Sequence, residues 1–313
     1  MNKRQFLATS VAALLATRVA AQNQVWTPAE KWARLVIVGG AEDRVQDRVI
    51  LRKFIQYAGG PLSRIRLITA ASGVPDVVAA SYAQAFGSLG VQDFAVLPLN
   101  SREDAFKPQV SADILQADGI FMSGGDQSRL MQTVFDTPVM EAMHKAFHFN
   151  NCCIGGTSAG AAVMSRHMIA QGAAVLRPRK DIVETDIGLG FLPSAVVDQH
   201  FSERRRLPRL LSTLAGRPDL LGVGIDEDTA LVVERARAIE VFGKGTVTLV
   251  DMRQAQTNAR DVDEEAQMEM LGVQLHTLPA GHRYSAVRTA PKNWPAGLQR
   301  AIELLVKPGP VYL

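Results

Sequence analysis

Residues 152–161 read Cys152-Cys153-Ile154-Gly155-Gly156-Thr157-Ser158-Ala159-Gly160-Ala161, and this stretch decides how the chain should fold. A short apolar run closed by glycines reads as the end of a buried parallel strand. Gly156-Thr157-Ser158-Ala159-Gly160 then fits the G-x-S-x-G elbow, in which a serine is lifted clear of the sheet at a sharp strand-to-helix turn. Small flanking residues let such a turn pass close to neighbouring backbone, and a following helix N-terminus favours negative charge. Ser158 is therefore the candidate nucleophile and the Ala159 amide a candidate oxyanion donor.

Outward from the elbow, similar apolar runs recur at Leu35 to Val38, Ile65 to Thr69, Phe94 to Leu97 and Ile120 to Met122. Helical patterns separate them at Val45 to Tyr57, Val77 to Leu89, Ser111 to Ala117 and Pro138 to Phe149. Strand and helix alternating in this way predict an α/β fold: a doubly wound, mostly parallel sheet with helices on both faces, in a single domain. Function is expected at the carboxyl ends of the strands, where Gly39-Gly40, Gly124-Gly125 and Gly155-Gly156 fall. Further on, Ala173 to Pro193 reads as a surface excursion and Ala195 to Val197 as a strand leading to Asp198-Gln199-His200. A helix is expected over Ser202 to Leu214. Gly222 to Glu234 and Ile239 to Asp251 read as strand segments, the first carrying the acidic turn Asp226-Glu227-Asp228.

The N-terminus carries Lys3 and Arg4, an apolar stretch from Phe6 to Leu15, then Val19-Ala20-Ala21. This is the pattern of a secretory signal peptide over residues 1–21, followed by a linker over 22–33 and the folded domain over 34–313. The run is too short to span a bilayer, so the product is expected to be exported, to a periplasm or outside the cell, with no membrane attachment after cleavage. Lys-Arg-Gln-Phe-Leu also resembles a twin-arginine signal with its first arginine replaced.

Lys and Arg number 34 against 31 Asp and Glu. Because Lys3, Arg4 and Arg18 lie in the acid-free signal, the remainder balances at 31 of each. A neutral chain lacks the basic field that nucleic-acid binding requires. The only two cysteines, Cys152 and Cys153, are neighbours in a predicted strand and point to opposite faces, which argues against a disulfide between them.

Of the histidines, His200 follows a buried strand at the same edge as the elbow and is the candidate base. His144 and His148 have helical spacing near the cysteines, but no further ligands stand at zinc spacing, and no metal or cofactor is expected. After His200, Arg204, Arg205, Arg206 and Arg209 form a dense cluster suited to gripping carboxylates.

Four blocks together resemble the cyanophycinases of the S51 serine peptidases. They are Gly39-Gly40-Ala41-Glu42-Asp43, Gly124-Gly125-Asp126-Gln127, Gly155 to Ala161, and Asp198-Gln199-His200-Phe201 continuing into Glu203-Arg204 and Arg206-Leu207. Gly224 to Ala230 also looks like the family. The resemblance implies a class I glutamine amidotransferase-like fold and a serine-type exopeptidase with Ser158 as nucleophile and His200 as base. It implies that Gln127, Asp198, Gln199, Arg204, Arg206 and Arg209 line the substrate pocket and that backbone amides of Gly125 and Asp126 complete the oxyanion hole. It further implies cyanophycin as substrate, a polyaspartate with arginine on each side-chain carboxyl, cut to β-aspartyl-arginine dipeptides, and a homodimer. Other isoaspartyl or aspartyl dipeptides are the alternative substrates.

Two departures stand out. The family's acidic third triad member usually follows soon after the elbow helix, where this chain reads Gly172-Ala173-Ala174-Val175-Leu176 without an acid. Glu184, or Asp186, is the expected substitute, and failing that the chain would be a catalytically impaired peptide binder. Arg205 and Pro208 also replace two glycines of the family pattern.

Overall fold

The alternating apolar runs form the parallel half of one eight-stranded sheet. The computed structural model describes residues 32–180, 182–263, 266–287 and 294–311, so the expected signal segment and most of the linker lie outside the described residues. The strands are β1 (Arg34–Val38), β2 (Arg64–Ile68), β3 (Asp93–Val96), β4 (Gly119–Met122), β5 (Cys153–Thr157), β6 (His167–Gly172), β7 (Val183–Ile187), β8 (Ala195–Gln199), β9 (Leu221–Ile225), β10 (Thr229–Glu234), β11 (Ala238–Gly243), β12 (Thr246–Asp251), β13 (Gln256–Thr257), β14 (Met270–Leu271), β15 (Gln274–Pro279) and β16 (Arg283–Ser285). The helices are α1 (Val49–Ala58), α2 (Pro75–Ser88), α3 (Pro108–Leu115), α4 (Gln127–Val134), α5 (Pro138–Asn150), α6 (Ala159–Ala162), α7 (Leu207–Gly216) and α8 (Ala296–Val306).

The main sheet runs β16-β11-β10-β1-β5-β4-β2-β3. Its β1, β5, β4, β2 and β3 are mutually parallel, while β10, β11 and β16 join antiparallel. Alternation along β1 explains the layering: Val36 and Val38 face one core with Phe54 of α1 and Tyr82 and Phe86 of α2, whereas Leu35 and Ile37 face the other with residues of α3, α4, α5 and α8. The expected single α/β domain with helices on both faces is thus what forms.

The sequence does not announce the second sheet, β15-β12-β9-β8. The strand leading to His200 belongs to it, not to the sheet of the elbow, and pairs in parallel with β9. Each strand segment expected over Gly222 to Glu234 and Ile239 to Asp251 divides in two. β9 and β12 enter the second sheet, and β10 and β11 enter the first. The acidic turn at Asp226 to Asp228 therefore crosses between sheets.

Helix boundaries shift where side chains capture backbone. The Asp43 carboxylate accepts the amides of Val45, Gln46, Asp47 and Arg48, which holds these residues in a loop and delays α1 to Val49. Four such bonds hold its pKa far below the usual carboxylate range. The helix expected from Ser202 begins only at Leu207, because residues 201–205 make turns and Arg205 takes φ 52. Arg205 therefore occupies a left-handed position that costs a non-glycine residue about 1–2 kcal/mol, at one of the two sites where the resemblance implies glycine. Pro208 lies in the first turn of α7, where the missing N–H is no loss. Among the described residues, no helix is long and apolar enough to cross a membrane.

Candidate active site

The elbow forms because β5 ends between β1 and β4 and the chain must turn sharply to leave the sheet. Ser158 has φ 52 and ψ −110, a conformation L-residues rarely adopt. Its N–H donates to the Val38 carbonyl at 3.0 Å, fixing the turn to the end of β1. A Cβ on Gly156 would lie 2.3 Å from the Gly160 carbonyl oxygen, and one on Gly160 would lie 2.4 Å from that of Met122, so the elbow closes only with glycine at both positions. The helix after it, α6, is a single turn, which leaves little macrodipole to favour negative charge at Ser158.

His200 arrives from the other sheet. Its N–H donates to the Gly39 carbonyl at 2.7 Å, joining β8 to the turn after β1. Gly40, at φ 107, lies under the imidazole, where a Cβ would come within 2.2 Å of Cε1. The ring is held so that Nε2 lies 2.9 Å from Ser158 Oγ. On the other side, Nδ1 lies 2.6 Å from Glu227 Oε1. A carboxylate only accepts, so Nδ1 carries the proton and donates to Glu227, leaving the Nε2 lone pair to accept from the serine hydroxyl.

The acid beside His200 is therefore Glu227, not Glu184. Glu184 sits exposed on β7, opposite Gln171 of β6, and Asp186 is likewise exposed on the same strand. Within the acidic turn the three carboxylates divide the work. Asp226 accepts from the Ser202 and Thr246 amides and the Thr246 hydroxyl. Asp228 accepts from the Asp43 amide and pairs with Lys244. Glu227, whose own N–H donates to Glu203, is left to face the imidazole. The turn is visible in the sequence, but its proximity to His200 follows from the crossing between sheets.

Burial pushes the His200 pKa below its ordinary value, Arg204 and Arg206 push in the same direction, and the Glu227 hydrogen bond opposes them. A general base acts in its neutral form, so a lowered pKa extends activity downward in pH. The acidic limb of kcat/KM is expected below 6.5, the ordinary imidazole value. Arg204→Gln removes a depressing charge and should move that limb upward, which a pH–rate profile reads directly.

Of the expected oxyanion donors, two remain available. The amides of Gly125 and Ala159 have no acceptor among the described residues. The Asp126 amide donates instead to the Ala71 carbonyl at 2.9 Å, and its side chain caps α4 by accepting from Ser128 and Arg129. Asp126 thus shapes the turn without facing the serine. Gly124 stands against Ser158, where a Cβ would lie 3.2 Å from the serine Cβ.

The expected pocket residues also divide. Asp198 is fully buried, paired with Arg206 at 3.3 Å and with Arg209 through two hydrogen bonds. Arg206 also donates to the carbonyl and side-chain oxygen of Gln199, and Arg209 donates to the Gly172 carbonyl at 2.6 Å. These four residues form a buried network beneath the site, so Asp198 is not free to grip a substrate guanidinium. Burial pushes the Asp198 carboxyl up and Arg206 down to about 10, which marks the cost of placing them there. Asp198→Ala would strand two buried guanidinium groups and is expected to cost about 3–5 kcal/mol in chemical denaturation. Gln127 donates to the carbonyls of Ile169 and Ala170, tying α4 to β6. Of the arginines after His200, Arg204 and Arg205 are exposed, whereas Arg206 and Arg209 are buried.

Behind the elbow, Glu42 is buried and accepts from the hydroxyls of Tyr82 and Thr157, the residue before Ser158. This links the Gly39-Gly40 turn under His200 to the nucleophile's own strand. His144 stacks on His148 and Phe191 and its Nε2 lies 2.7 Å from the Leu189 carbonyl oxygen. The two cysteines are both buried as free thiols.

The sequence profile of peptidase family S51 matches residues 35–241, more than half of the chain. A cyanophycinase of Nostoc sp. is 40% identical over 259 residues, covering 82% of this chain and 87% of its own length. The cyanophycinase of Geminocystis herdmanii is 40% identical over 252 residues, 80% of this chain and 93% of its own. Among solved structures, a peptidase from an acI-B1 Actinobacterium matches with a TM-score of 0.59 over 81% of this chain and 97% of that one, at 23% identity, a likeness of fold. By its profile match and its relatives, the chain belongs to peptidase family S51 and is a serine-type peptidase.

Proposed function

We propose that this peptidase hydrolyses cyanophycin and releases β-aspartyl-arginine dipeptides. The observation that carries the reading is 40% identity over about four-fifths of the chain to proteins named cyanophycinase, with the Ser158, His200 and Glu227 side chains in one hydrogen-bonded line. In the acylation step the Ser158 oxygen bonds to the scissile carbonyl carbon as its proton passes to His200 Nε2. The Gly125 and Ala159 amides donate to the oxygen that becomes negative, and Glu227 stabilises the imidazolium. His200 then gives the proton to the leaving amine as the C–N bond breaks. Water repeats the sequence on the acyl-enzyme and frees Ser158. The exposed Arg204 beside His200 suits a free carboxylate of the substrate.

The impaired-binder alternative rested on a missing acid, and Glu227 supplies one. Export remains part of the proposal on the strength of Lys3, Arg4 and the apolar run that follows. Mature protein incubated with insoluble cyanophycin, with soluble products identified by mass, should release β-aspartyl-arginine. No release by a protein whose Ser158 still reacts with fluorophosphonate would reject this substrate in favour of other isoaspartyl peptides.

A further inference from the structure

A cavity of about 580 Å³ opens at the end of α4 remote from Gln127. Its floor is apolar, from Phe135, Met140 and Ile187, and charge is placed on it by Asp136 and Arg166. Glu141, also in the wall, is already paired with Lys145. Arg102 holds the corner by donating to the carbonyls of Phe135 and Asp136. The Arg166 backbone is fixed at both ends, its N–H donating to Leu192 and its carbonyl accepting from Gly188. Neither the Asp136 carboxylate nor the Arg166 guanidinium has an ion-pair partner among the described residues. The volume falls in the range of small-ligand sites, roughly 300–1,000 Å³.

Helix α4 and strand β6 run from beside the active site to the cavity. At one end of α4, Gln127 touches Ile169 and Ala170 of β6, three residues from Gly124 beside Ser158. At the other end, Phe135 follows α4 and His167 begins β6, and both line the cavity. Exposed β7 runs the same way, from Glu184 opposite Gln171 to Ile187 in the cavity wall. Eight helical residues cover about 12 Å, and an extended chain covers that in about three to four residues.

Resting on the cyanophycin reading, we propose that this cavity is a second polymer-binding site that takes an aspartyl-arginine unit farther along the chain from the bond being cut. Each such unit ends in a guanidinium and a free carboxylate on a mostly methylene arm. The cavity offers the complement: Asp136 for the guanidinium, Arg166 for the carboxylate and an apolar floor for the arm. A polymer held at both places dissociates less readily than one held at Ser158 alone.

The test uses aspartyl-arginine oligomers of defined length. For the wild type, kcat/KM should rise about five- to tenfold between two and six units and then level. Asp136→Asn combined with Arg166→Gln should abolish the rise while matching the wild type on two units. Asparagine suits the left-handed φ of 52 at Asp136, and Arg166 is exposed, so neither change threatens the fold. A wild type indifferent to length, a variant that keeps the rise, or a variant weakened equally at every length would each overturn the second site while leaving the substrate assignment intact. Failure of the wild type to cut any oligomer would overturn that assignment and the second site with it.

Discussion

Ser158→Ala is expected to lower kcat by about 10⁶-fold, because without the hydroxyl no acyl-enzyme forms and only binding and oxyanion stabilisation remain. The loss should be in kcat, with substrate binding little changed, since Ser158 is held by its own backbone and alanine removes only the reacting oxygen. Groups that act as one unit are not additive, so Ser158→Ala combined with Glu227→Gln should be no slower than Ser158→Ala alone. Single-turnover kinetics on a soluble oligomer separates these contributions.

Glu227→Gln is expected to lower kcat by about 10⁴-fold, whereas Glu184→Gln should leave it unchanged. The carboxylate at 2.6 Å obliges Nδ1 to carry the proton and stabilises the imidazolium. An amide in its place can donate to Nδ1, which favours the tautomer that puts the proton on Nε2 and blocks acceptance from Ser158. Glu184, exposed on β7, makes no such contact, so its substitution serves as the matched control.

The contrast between these two acids shows where the sequence is informative. The elbow is local: five consecutive residues after an apolar run specify the turn, and Ser158 sits in it at the strained φ the pattern requires. His200 is less so: its strand reads as lying at the elbow's own sheet edge, whereas β8 belongs to the second sheet and brings the imidazole to Ser158 from there. The parallel strands and helices on both faces followed from periodicity alone. Glu227 lies 27 residues beyond His200 and meets it only because β9 and β10 enter different sheets, so the turn between them is drawn across the gap. Strand periodicity is the same for either sheet and does not record that crossing. Asp198 misleads for a related reason. A charged residue beside a candidate base reads as a binding group, but alternation along β8 turns it inward, where Arg206 and Arg209 neutralise it.

The central claim, a Ser158 nucleophile activated by His200 and oriented by Glu227, is tested most directly by the rate of fluorophosphonate labelling followed by intact mass. Wild type and Glu184→Gln should take up one adduct at the same rate, Ser158→Ala none, and Glu227→Gln one adduct orders of magnitude more slowly. Labelling of Ser158→Ala, or a Glu184→Gln protein as slow as Glu227→Gln, would contradict the account.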